Sequence, residues 1–328
     1  MVPAAEKGHR VWVYLGGAVV AGMVLSLFIG RYPRPYFLPP TLLYEDELAR
    51  QVLLGLRLPR ILMGAALGMA LAGAGTVLQM IFRNPLVEPG FLGISQGAAF
   101  GAAFSIIFLS GFPIVIEVMA TVSALIGLGC SFLLARHLRY GDWHLRLILA
   151  GIAVSALFSA GVGLLKYLAD PVRALPEITF WLLGGLWGVT WEDVLYVLPF
   201  VVPGITLCLL MRWRLNLLAL EDETAFSLGV APARERALVL SAAVAAVAAV
   251  ISTAGLVGWI GLITPHLARR LTGAEAHRAL PVSMGLGALV TVGCDTLARA
   301  LIAGEIPLGI LTSFFGATGF ALLMIRRL

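Results

Sequence analysis

Val11-Trp-Val-Tyr-Leu-Gly-Gly-Ala-Val-Val-Ala-Gly-Met-Val-Leu-Ser-Leu-Phe-Ile-Gly30 carries no charged side chain, and its 20 residues suffice for one helical crossing of a hydrocarbon layer about 30 Å thick. Runs of this kind recur along the chain. Its 328 residues are 60% hydrophobic and only 12% charged, with a mean hydropathy of +0.96, a composition outside the range of soluble globular domains. The chain is therefore expected to be an all-α polytopic membrane protein. Lys7 and Arg10 precede the first run as basic residues precede the apolar core of a secretory leader, but its length and the runs that follow favour a retained first helix.

Working outward, the apolar runs predict helices at about 11–30, 58–82, 90–110, 112–135, 145–169, 191–212, 236–255, 257–271, 281–303 and 307–326. Ten crossings place both termini on one side. With that side cytoplasmic, the inner segments hold 15 of the 23 basic residues and the outer segments seven, as the positive-inside rule requires. The weakest crossing is Val257 to Leu271, which is short and contains Pro265. One domain spanning 1–328 is expected, with a soluble inner segment at 213–235. The second helix enters from outside and the seventh from inside, so a four-helix repeat would be inverted, although the halves share no visible identity.

Several function classes fall away. The only lysines, Lys7 and Lys166, follow Glu6 and Leu165, so no Gly-Lys-Ser/Thr phosphate loop exists and ATP binding by this chain is not expected. The five histidines, His9, His137, His144, His266 and His277, form no zinc-hydrolase pattern, and Cys130, Cys208 and Cys294 lie far apart in apolar stretches. Neither a catalytic residue nor a metal site is predicted. The net charge of +5 is spread between apolar runs, which argues for basic cytoplasmic loops over nucleic acid. Candidate ionisable groups within the membrane are few: Glu117, Lys166, Asp295 and Arg299, the last two spaced i, i+4 so that they can neutralise each other. Gly64-x-x-x-Gly68 and Gly97-x-x-x-Gly101 are read as close-packing sites for neighbouring helices.

The stretch from Arg212 to Arg236 breaks the apolar pattern. Leu217, Leu220, Thr224 and Leu228 recur at helical spacing, acids Glu221 to Glu223 sit early, and Gly229 can end the helix. One short amphipathic helix over Leu217–Leu228, with Ala225 inside it, is expected on the inner side. Its acidic exposed face suits a protein partner better than an anionic leaflet.

These features resemble the FecCD-type family, the type II ABC importer permeases for iron-siderophores, haem and cobalamin, over nearly the whole chain. The resemblance rests on Arg57-Leu-Pro-Arg60, Arg83-Asn-Pro-Leu-Val-Glu-Pro-Gly90 with Leu92-Gly-Ile-Ser95, Trp181-Leu-Leu-Gly-Gly185, Gly261-Leu-Ile-Thr-Pro-His266, and Asp295-Thr-Leu-Ala-Arg299 with Glu305-Ile-Pro-Leu-Gly309. Glu221 departs from the family's usual glycine, and Val87-Glu88 from its usual Ala-Asp or Ala-Glu.

The resemblance implies a ten-helix permease that pairs with a second copy, two ATPase subunits that hold the ATP and Mg, and a periplasmic or surface-anchored substrate-binding protein. The chain itself binds no cofactor. It would sit with membrane lipid in the cytoplasmic (inner) membrane of a prokaryote, multi-pass, both termini cytoplasmic. By the same resemblance, Leu217, Leu220, Glu221, Thr224, Ala225, Leu228 and Gly229 couple to the ATPase; Asn84, Leu86, His144 and Leu145 belong to an inner gate; and Arg57, Arg60 and Arg299 dock the binding protein. The Asn84 to Leu86 stretch also reads as a tight turn, because Pro85 fixes its own φ and restricts Asn84. Iron chelate is the substrate expected from family frequency, with haem, cobalamin and oxyanions open. The alternatives are a stand-alone secondary transporter and, more distantly, a membrane-embedded enzyme.

Overall fold

A computed structural model describes residues 4–33, 36–109 and 111–325, with side chains from Val11 onward. Arg34, Arg326 and Arg327, and the side chains of Lys7 and Arg10, all counted in the charge balance above, lie outside the described residues. Ten long helices run through it: α1 Ala4–Phe28, α2 Leu58–Ile81, α3 Ile94–Phe108, α4 Pro113–His137, α5 Trp143–Leu168, α6 Trp191–Leu210, α7 Pro232–Ala254, α8 Ile260–Thr272, α9 Ala276–Leu301 and α10 Leu308–Ile325. Among the described residues, eight helical stretches are long and apolar enough to cross a membrane, the longest running from Glu47 to the end of α2 at Ile81. The only strands among those residues, Ile29–Gly30 and Tyr36–Phe37, pair just beyond α1.

The two that fall short are α3, with 15 residues, and α8, with 13. Each is preceded by backbone that is not α-helical. Before α3 the chain makes a 3₁₀ turn over Pro89–Leu92, so the helix predicted from residue 90 begins at Ile94. Before α8 the chain leaves α7 at Gly255, which has φ +67, and runs without helix to Trp259, which has φ +72. Backbone free of α-helix at membrane depth is tolerated only where protein or a cavity satisfies it. α3 and α8 hold the same place in the two four-helix runs α2–α5 and α7–α10, the corresponding position that marks a transport site in repeat-built carriers.

At the centre stands α2, which packs against α6, α7, α8 and α9 and is almost wholly buried. Between lipid-soluble helices close packing replaces the hydrophobic drive, so small residues let backbones meet. A Cβ added at Gly68 would lie 2.2 Å from the Gly287 carbonyl oxygen of α9, and one at Gly75 would lie 2.0 Å from the Gly261 carbonyl oxygen of α8. Gly97 and Gly101 likewise pack on the α4 backbone, so both glycine pairs serve contacts within one chain.

Shorter helices escaped the hydropathy pattern. Ala174–Leu183 follows a turn in which the Asp170 Oδ1 accepts from the Val172 and Arg173 amides at 3.0 and 2.7 Å, and its ten residues are too few to register as a crossing. Leu42–Glu45, Glu47–Gln51 and a π turn over Val52–Arg57 lead into α2.

The single amphipathic helix expected over 217–228 is two: Arg214–Leu218 and Asp222–Ser227. Arg236 of α7 causes the division. Its guanidinium donates to the carbonyl oxygens of Leu218 at 2.8 Å and Leu220 at 3.3 Å, and its Nη1 meets Asp222 at 2.5 Å. Those bonds hold the chain open at Glu221, whose φ of −63° and ψ of 147° are extended and which becomes the N-cap of the second helix. Gly229, at φ +80, closes it as expected.

Candidate functional site

Between the two broken segments lies a cavity of about 460 Å³ lined by Glu88, Ser95, Gln96, Ser155, Leu256 and Gly258, among others. Pro89 of the first segment and Gly261 of the first turn of α8 border it, and so does Leu71 of α2. The Ser155 hydroxyl is buried and meets no hydrogen-bond partner among the described residues. Trp259 is a bulky residue in left-handed backbone, a strain of about 1–3 kcal/mol that persists only where neighbours impose it. A second cavity shares Leu256 and Gly258 and opens towards Gly309, Ser313 and Phe314 of α10. The extended stretch thus has one cavity on either side, and the lining is apolar with a few polar groups, as a small-molecule path requires.

At the expected outer end, Arg57, Arg60 and Arg299 line one cavity of about 470 Å³ with Glu305 and Trp187. The fold brings these three together from α2, the turn before it and α9, but their guanidinium groups are already engaged. Arg57 donates to the carbonyl oxygens of Leu27 at 2.7 Å and Tyr32 at 3.1 Å. Arg60 reaches Asp295 at 2.8 Å and Glu305 at 2.9 Å. Arg299 donates to the backbone and hydroxyl oxygens of Ser26. Asp295 lies 3.6 Å from the Arg299 Nε, the ion pair that i, i+4 spacing leads one to expect, but too far for a hydrogen bond, so the hydrogen bonds of this carboxylate go to Arg60.

At the expected inner end, Asn84 Oδ1 accepts from the Leu86 amide at 2.9 Å and forms the anticipated turn. Arg83, before it, has φ +49. Phe82 stacks on Trp143 at 5.9 Å and meets His144 edge-on at 6.2 Å, so this turn and the start of α5 are neighbours. Asp142 caps α5 by accepting from the Leu145 amide at 2.9 Å, and that bond holds its carboxyl below the ordinary range. Leu86 is half exposed and Leu145 is exposed.

Of the expected coupling residues, Ala225 is buried and Leu217 partly buried against the core, whereas Leu220 is 37% and Leu228 55% exposed. Glu221, Thr224 and Gly229 are exposed. Phe226, 74% exposed, was overlooked because it lies off the 217, 220, 224, 228 stripe; the break at Glu221 turns it out beside Leu228. Sequence reasoning also missed Leu256, Gly258 and Trp259, although a glycine-flanked apolar run ahead of a short helix was a usable signal.

The FecCD transport family matches residues 18–326. The molybdate import system permease protein MolB of Haemophilus influenzae is 39% identical over 318 residues, covering 94% of this chain and 93% of that protein. The hemin transport system permease protein HmuU of Yersinia pestis is 40% identical over 280 residues, covering 84% and 83%. A solved inward-facing ABC transporter of the metal-chelate type superposes with a TM-score of 0.89 at 38% identity, over 97% of this chain and 99% of that one.

Proposed function

The chain belongs to the FecCD transport family, and from that premise we propose that it is the permease subunit of an ATP-driven ABC importer that moves a metal chelate of the iron-siderophore, haem or cobalamin class inward. The observation that carries this reading is the pair of broken crossings on one cavity, the arrangement by which transporters built from helices present backbone groups to cargo at membrane depth. The chain is a multi-pass membrane protein and a permease component, not an enzyme. Hydrolysis falls to two separate ATPase subunits that bind ATP and Mg; the chain itself would hold no cofactor.

A second copy completes the path. Leu256, Gly258 and the exposed residues of α10 face the same open cavity, and a two-fold partner would close it. We place the unit in a cytoplasmic membrane with both termini inside. Residues 213–235 form the coupling segment, with Phe226 and Leu228 at its tip. Asn84, Leu86, His144 and Leu145 form the inner gate. Arg57, Arg60 and Arg299 receive carboxylates of a periplasmic or surface-anchored binding protein, which requires Arg60 to share its grip with Glu305.

The molybdate relative favours a second substrate reading, a small oxyanion. Against it stands the lining of the path cavity, which among the described residues offers the Glu88 carboxyl and no lysine or arginine. Proteoliposomes holding the chain with its ATPase, supplied with a binding protein, decide both questions. ATP-dependent uptake of ferric siderophore, haem or cobalamin is expected. Accumulation by the chain alone on an ion gradient would establish a secondary transporter instead, and uptake of molybdate in preference to chelates would establish the oxyanion.

A further inference from the structure

The expected inner end holds a further cavity, of about 570 Å³, between the last turn of α4 and the first turns of α5 and α7. Three arginines line it, one from each helix: Arg136, Arg146 and Arg236. The single carboxylate in the lining, Asp222, is taken by Arg236 at 2.5 Å, which leaves two positive charges without a counter-ion in the lining. Each arginine has a distinct situation. Arg236 is buried, lies over the Trp143 ring at 5.8 Å, and forms the floor. Arg146 is held in place by the Leu138 carbonyl oxygen at 3.2 Å. Arg136 is exposed and makes no hydrogen bond or ion pair among the described residues.

Planar guanidinium forks from three directions match the tetrahedral oxygens of a phosphate. The surroundings decide where that phosphate comes from. Leu133 lies three residues before Arg136, on the same face of α4 and one turn deeper, and is exposed, while Phe132 and Trp143 line the cavity itself. The charged cavity therefore carries apolar side chains on the side that leads towards the membrane-spanning length of α4. Basic pockets between helices on the cytoplasmic side suit anionic headgroups.

We propose that this cavity holds the headgroup phosphate of an anionic phospholipid of the inner leaflet, clamped by Arg136 and Arg146 over Arg236. Because Arg236 also ties down Leu218, Leu220 and Asp222, the bound lipid stiffens the root of the coupling segment. The inference rests on the inward orientation proposed above.

The test uses the purified full chain, stripped of lipid by detergent exchange and then offered phosphatidylglycerol, phosphatidylcholine or inorganic phosphate separately. Native mass spectrometry is expected to retain phosphatidylglycerol, and thermal unfolding to shift upward with it but not with the other two. Arg136→Gln and Arg146→Gln should each weaken retention about fivefold. Should Arg146→Gln unfold, Arg136→Gln and Ser241→Asp remain, since Arg136 supports no described contact and Ser241 is exposed at the cavity. Equal retention of phosphatidylglycerol in Arg136→Gln, Ser241→Asp and the parent overturns the site. An equal upward shift with inorganic phosphate alone overturns the lipid as its occupant. Substrate uptake plays no part in either readout, so failure here is distinguishable from failure of the transport function.

Discussion

Arg60 grips Asp295 with two prongs, its Nε and Nη2 donating to the same Oδ1 at 2.9 and 2.8 Å across 235 positions of sequence. The Asp295 side chain is 2% exposed, so α2 and α9 are pinned by an ion pair that water scarcely reaches. Removing Asp295 leaves Arg60 with the partly buried Glu305 alone as counter-ion. Asp295→Ala should cost about 3–5 kcal/mol, while Asp295→Asn, which keeps an acceptor, should cost less. Thermal unfolding in detergent measures this, and an unchanged melting temperature in Asp295→Ala would show that the pair holds nothing together.

Docking of the binding protein should depend on the same arginine in a different way. Arg60→Gln removes a charge at the outer cavity and is expected to lower affinity at least tenfold and flatten its salt dependence. Glu305→Gln, which relieves Arg60 of a competitor at 2.9 Å, should tighten binding. Surface plasmon resonance on nanodisc-embedded complex reads both. Identical binding by the two variants and the parent rules Arg60 out as a docking residue.

The coupling tip should tolerate no charge. Phe226→Asp and Leu228→Asp place a carboxylate at the tip proposed to meet the ATPase, at a cost of several kcal/mol to the interface. Hydrolysis should lose its stimulation by loaded binding protein, or the ATPase should dissociate during purification. Normal assembly with normal uptake means that the tip lies elsewhere.

Leu86, half exposed in the single chain, is expected to meet its twin at the two-fold axis. Leu86→Cys should form a disulfide between copies in the resting state, which needs Cα atoms within about 7 Å. A chain that stays monomeric on denaturing gels in every nucleotide state removes Leu86 from the gate.

Close backbone approach makes a separate forecast. Gly75→Ala would drive a Cβ to 2.0 Å from the Gly261 carbonyl oxygen, whereas Gly129→Ala meets nothing within 4 Å. Overpacking of this kind costs typically about 1–3 kcal/mol and here calls for a backbone shift. Folded yield and melting temperature should fall for Gly75→Ala and hold for Gly129→Ala; parity between them contradicts the contact.

What the chain discloses before folding depends on the range of the interaction. A 20-residue uncharged run announces a crossing, because the hydrocarbon core acts on each helix separately. The ten residues of Ala174–Leu183 announce nothing by that measure, and neither does an extended stretch such as Gly255 to Gly258. The three arginines were legible as a group, but not all of their partners: spacing pointed Asp295 at Arg299 four residues on, an ion pair the fold keeps at 3.6 Å, and folding added the closer grip of Arg60 from another helix. The helical stripe from Leu217 to Leu228 was real as a pattern. Its interruption comes from Arg236, a residue of the next helix, which local periodicity does not weigh.

That interruption changes how force would pass through the inner end. A single continuous helix lying on the membrane face could rock as a free float, dissipating a push from below as tilt. Two short helices riveted at their joint by one buried guanidinium, itself seated on the Trp143 ring at 5.8 Å, behave as a bell crank with a fixed bearing. Displacement at Phe226 would then reach the first turn of α5, where Trp143 and His144 pack against Phe82 beside the Asn84 turn.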